Sequence, residues 1–67
     1  MSPYKFVHEQ VEKEAVKRGA KPMIAKKYAD EAPAIYKKNR FKSMPSVIMS
    51  CIEKAIKETK KQEESLL

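Results

Sequence analysis

Few residues in this chain are of a type that does covalent or acid–base chemistry. There is one cysteine, Cys51, and one histidine, His8. Nucleophilic catalysis needs a thiol or hydroxyl, a base and an orienting group brought together. Cys51 instead falls among Ile48, Ile52 and Ala55 at helical spacing, where it reads as a small buried hydrophobe. His8 sits beside an apolar stripe of Tyr4, Val7 and Val11 and reads as a helix-flank side chain. One thiol and one imidazole cannot make a zinc site. A single glycine, Gly19, cannot make a phosphate-cradling loop. The carboxylates occur mostly in helix-surface pairs with lysine. The expectation is a protein with no catalytic role, no metal and no cofactor.

The lysines and arginines carry the stronger signal. They number 15 against 9 acids, a net charge of +6. Residues 17–42 hold nine of them (Lys17, Arg18, Lys21, Lys26, Lys27, Lys37, Lys38, Arg40 and Lys42) against only Asp30 and Glu31, a local excess of +7. Residues 1–16 and 43–67 are close to balanced. A basic segment between balanced ends is the footprint expected for a polyanionic partner, and it is also compatible with a lysine-rich solvated surface.

The elements that must position this segment are helical. At 67 residues and 42% hydrophobic content the chain suits one small domain. No run of 18 apolar residues and no signal-peptide pattern occur, so the expectation is a soluble, intracellular (cytoplasmic) protein with no membrane partner. Each of the four prolines precedes a stretch of helical periodicity, and the first turn of a helix tolerates proline's missing N–H. Ser2-Pro3 opens a helix over about 3–18, closed by Gly19 as the residue after its C-cap. Pro22 opens a second. An interior proline costs about 3 kcal/mol, so Pro33 divides this stretch into helices at about 22–30 and 33–40, with one kinked helix as the rival. Ser43-Met44-Pro45-Ser46 starts a last helix over about 45–62, whose apolar face carries Met44, Ile48, Cys51, Ile52, Ala55 and Thr59. Residues 63–67 are expected to fray. The fold expected is all-α, a bundle of three to four short helices in a single domain over 1–62. Its expected core is Tyr4, Val7, Val11, Ala15, Ile24, Tyr28, Ala32, Ile35, Ile48, Ile52, Ala55 and Ile56. Phe6 lies off the main stripe and, with Val16, is a candidate patch for a dimer or partner contact.

Residues 24–36, Ile24-Ala25-Lys26-Lys27-Tyr28-Ala29-Asp30-Glu31-Ala32-Pro33-Ala34-Ile35-Tyr36, resemble the helix-turn-helix family of DNA-binding proteins. Ala25 falls where two crossing helices need a small contact, Ala29 where the family usually has a turn glycine, and Ile35 at the apolar anchor of the second helix. Asp30 and Lys38 depart from the pattern, standing where it is normally apolar or buried. The resemblance implies a recognition helix over 33–40 presenting Lys37 and Arg40, flanked by Tyr36 and Lys38, to the major groove. Arg40 would read guanine and the lysines would hold phosphates. Lys26 and Lys27 would grip the backbone on one side, and Lys42 belongs to the same basic surface.

The function expected is therefore nucleic-acid binding, with duplex DNA favoured and a helix-turn-helix-like regulator as its form. A homodimer is expected, because a single such unit reads only a few base pairs. The alternative is a non-catalytic protein-interaction module, a small adaptor or inhibitor docking on an acidic protein surface with Phe6, Tyr36 or Phe41 as anchors.

Overall fold

A computed structural model describes residues 2–38 and 43–65 of the chain. Over these residues it holds three helices, α1 (Pro3–Lys17), α2 (Pro22–Lys38) and α3 (Met44–Ser65), and no strand. The all-α bundle is as the periodicity implies.

Each helix start has a local cause, except one. Ser2 caps α1, its hydroxyl accepting from the Tyr4 N–H at 3.3 Å, with Pro3 in the first turn. Ser43 does the same for α3, accepting from the Ser46 N–H at 3.3 Å. The end of α1 is a Schellman turn. Gly19 adopts φ +107°, its N–H bonds the Val16 carbonyl at 3.0 Å, and the Ala20 N–H reaches back to Ala15 at 2.9 Å. No Ser, Thr, Asp or Asn precedes α2, whose N-cap position is Lys21. Its support comes from across the bundle: the Lys21 N–H donates to Thr59 Oγ1 of α3 at 3.1 Å, and Thr59 donates in turn to the Ala55 carbonyl at 2.9 Å. Thr59 is the one buried polar side chain among the described residues.

The core has two continuous parts. Val7, Val11, Ala29, Ala32, Val47 and Cys51 form one, with Ile35, Tyr36, Met44 and Ile48 packed against it. Ala15, Ala20, Ile24, Ala25, Ile52 and Ala55 form the other, with Ile56 against it. Tyr28 touches both. Most of the expected core lies here, with one correction. Tyr4 is 42% exposed and packs edge-on against Tyr36, ring centroids 6.1 Å apart. It sits in the first turn of α1. Val47, Ala20, Ala25 and Ala29 are core residues that the expected set lacks.

The main correction concerns α2. It runs unbroken from Pro22 to Lys38 with Pro33 inside it, so the expected helices at 22–30 and 33–40 are one. The break was expected because of proline's cost. That cost of about 3 kcal/mol is offset by burial. Ala29 and Ala32 are fully buried before Pro33, and Ile35 and Tyr36 pack on the same core after it. Full burial of one large apolar side chain is worth about 1.5–3 kcal/mol, so the partly buried Ile35 and Tyr36 together offset a cost of that order, and a break would turn both off the seam. The last helix also begins one residue earlier and ends three later than expected, so residues 63–65 are helical.

Two measurements check this architecture. Pro33→Ala is expected to raise stability in urea unfolding by up to about 3 kcal/mol with unchanged helical circular dichroism. A first-turn proline of a separate helix would give a neutral or unfavourable change. Thr59→Val is expected to cost about 1–3 kcal/mol, because it strips the Lys21 N–H of its partner at nearly constant volume. Thr59→Ser keeps the hydroxyl and should recover most of that loss.

Candidate nucleic-acid interface

The exposed ridge of α2 carries Met23, Lys26, Lys27, Asp30, Glu31, Ala34, Lys37 and Lys38. The expected contacts Lys26, Lys27, Lys37 and Lys38 thus share one helix, as two lysine pairs. Eleven residues separate the pairs, about 16 Å at 1.5 Å per residue. The two acids lie between them. Lys37 and Lys38 also fall in the last turn of α2, where cations are favoured by the helix dipole. Tyr36 does not join this surface. It is half-buried on the α1 side, held by Tyr4 and the core. Arg40 and Lys42, with Asn39 and Phe41, lie outside the described residues.

The continuity of α2 removes the geometry that the helix-turn-helix resemblance implied. Ile24 through Tyr36 all lie in one helix, with no turn at Ala29. Ala29 has a strong helix preference and none of glycine's ease at positive φ, and it is fully buried as a helical contact.

Of the two acids on the ridge, Asp30 is tied to α1. Asp30 Oδ1 accepts from His8 Nε2 at 2.7 Å, tying α2 to α1. An ionised carboxylate only accepts, so this nitrogen carries the proton. Glu12 lies 3.8 Å from His8 Nδ1 on the other side. Among the described residues no group of three His, Cys, Asp or Glu side chains is placed to hold a metal ion, and no helix is long and apolar enough to cross a membrane.

On the opposite flank, α2 meets α3 in a shallow open cleft of about 260 Å³ lined by Tyr28, Lys54, Lys57, Glu58 and Lys61. Glu58 is its acid. Glu58 Oε1 accepts from Lys27 Nζ at 3.2 Å and from Tyr28 Oη at 3.4 Å. The Lys27 ammonium also lies 5.4 Å from the centroid of the Tyr28 ring, within cation–π range. The hydrogen bond to Glu58, and then its charge, hold the Lys27 ammonium above the ordinary lysine value. Burial, reinforced by Glu58, pushes the Tyr28 hydroxyl up. Burial also pushes the Cys51 thiol up, although Lys54 opposes it. Cys51 is fully buried in the core, and His8 lies apart from it between Asp30 and Glu12.

Three of the four α3 lysines, those lining the cleft, are the members that the charge count over the sequence passed over. Residues 43–67 sum to nearly zero, which hides that Lys54, Lys57 and Lys61 follow an i, i+3, i+7 spacing on one helix face. That spacing was legible, but its alignment with Lys27 depends on how α2 and α3 pack. No family model matches the chain, and no curated protein and no solved structure matches it either.

Cys51, Tyr28 and Lys27 all hold their protons more tightly when folded. Their contribution to stability is therefore complete below the ordinary cysteine range, about pH 8.5–9, and is lost as pH rises through and beyond the ordinary cysteine, tyrosine and lysine ranges. Urea midpoints measured from pH 7 to 11 should fall over that window. Cys51→Ala should delay the onset to the tyrosine range near pH 10.

Proposed function

We propose that this chain is a non-catalytic nucleic-acid-binding protein that grips the sugar–phosphate backbone of duplex DNA through the exposed lysines of α2. The observation that carries this reading is the placement of Lys26, Lys37 and Lys38 as exposed cations on one helix, with Lys27 shared with Glu58 beside Lys26, in the segment that holds the whole positive excess. Lysine is a compact point charge on a flexible stem, suited to phosphate and poorly suited to bidentate reading of base edges. A continuous α2 presents no separate recognition helix, so the proposed binding is largely independent of sequence. It does not need a dimer to reach specificity, unlike the regulator that the resemblance implied.

A second reading, docking on an acidic protein surface, is favoured by Met23. This side chain is 86% exposed directly beside Lys26 and Lys27, and an apolar anchor beside cations is common at protein contacts.

A salt series separates the two. The protein should bind random duplex DNA at about 50 mM salt and lose affinity steeply, with a logarithmic slope of about −0.9 per phosphate contacted. Lys26→Ala should flatten that slope by about one unit and weaken all sequences alike. No retention on any duplex at about 50 mM salt would leave the protein-docking reading.

A further inference from the structure

The cleft between α2 and α3 extends this binding surface across the bundle. Resting on the nucleic-acid reading, we infer that Lys54, Lys57 and Lys61 form a second phosphate-backbone site for duplex nucleic acid. The three lysines occupy one face of α3, with axial steps of about 4.5 and 6 Å. They form a short row of cations rather than a point.

The acid in the middle of the row does not cancel it. Glu58 is only 26% exposed at its side chain and is drawn toward α2 by Lys27 and by the Tyr28 hydroxyl. Lys27 supplies the charge that balances it, so Lys54 and Lys57 remain a net excess on the rim beside Lys61. Among the described residues, neither Lys54 nor Lys57 makes an ion pair within 4 Å.

The chemistry of the lining narrows the ligand. It contains no arginine, asparagine or glutamine, the side chains that read base edges bidentately. Its one aromatic ring, Tyr28, lies beneath the Lys27 ammonium and gives its hydroxyl to Glu58, so it offers no open platform for stacking an unpaired base. A small nucleotide would want an enclosed pocket with polar groups converging on it, and this cleft is open. What remains is the exposed phosphate row of a duplex, met by point charges.

Two triple variants with the same loss of charge test this. One is Lys54→Gln/Lys57→Gln/Lys61→Gln. The control is Lys5→Gln/Lys13→Gln/Lys60→Gln, which neutralises three lysines outside the cleft. Binding of each to a random duplex is measured across a salt series, with circular dichroism to verify the fold. The cleft variant should weaken binding to every sequence by more than about tenfold at low salt and reduce the salt slope by about 2.7, at 0.9 per contact. The control should change the slope by less than one unit. If the triple variant loses its fold, Lys57→Gln alone should reduce the slope by about 0.9. Equal effects of cleft and control variants would overturn the cleft site while leaving the protein a nucleic-acid binder. Failure of the parent to bind duplex DNA, including the case where it binds only anionic lipid vesicles, would overturn both.

Discussion

Ala25, Ala29 and Ala32 are fully exposed to neither solvent nor cleft: each is completely buried along the inner face of α2. Three small side chains on one helix face allow neighbouring helices to approach closely. Val7 and Val11 of α1 and Val47 and Cys51 of α3 share a core with Ala29 and Ala32. The seam runs past Pro33 without interruption, because Ile35 and Tyr36 continue it on the next turn. A chain of this length has little core to spare. Breaking α2 at the proline would save about 3 kcal/mol of local cost and forfeit the packing of Ile35 and Tyr36 on the shared core, a term of comparable size. The unbroken course of α2 and the position of its lysines both follow from that balance.

With α2 continuous, the charges along it acquire a definite layout. Lysine pairs lie toward each end of the helix, and between them Asp30 is turned to α1 through His8. The flank facing α3 is organised by Glu58, which holds Lys27 and Tyr28. One carboxylate thus fixes two side chains of the neighbouring helix and leaves the α3 lysines on the rim. The arrangement favours contact with a long row of negative charge over recognition of one small anion. It is consistent with a protein whose affinity comes from counterion release rather than from base-edge reading.

The junction between α1 and α2 shows the same economy. Gly19 takes the positive φ that closes α1, and Ala20 follows it into the core. The next residue, Lys21, has no side chain suited to capping, so Thr59 from α3 receives its N–H. This hydrogen bond ties the start of α2 to the second half of α3. That is the half that carries Lys57 and Lys61, so the cap and the proposed cleft site depend on the same packing.

Local signals determined a good deal by themselves. Ser2-Pro3 and Ser43 mark helix starts, Gly19 marks an end, and the spacing of Val7, Val11 and Ala15 or of Cys51, Ile52 and Ala55 marks buried faces. Each of these rests on interactions within four or five residues, which is why it is visible in one dimension. The all-α class followed from them. Tertiary structure decided what local rules leave balanced. Pro33 favours a break by its own chemistry, and only the shared core with α1 and α3 overrides it. Thr59 looks like one more member of an apolar face until Lys21 is brought 3.1 Å away. Lys54, Lys57 and Lys61 look like part of a neutral helix until Lys27 neutralises Glu58 from across the cleft. In each case the deciding partner lies on another helix, from 14 residues away for Pro33 and Val47 to 38 for Lys21 and Thr59, and its effect exists only once the helices have packed.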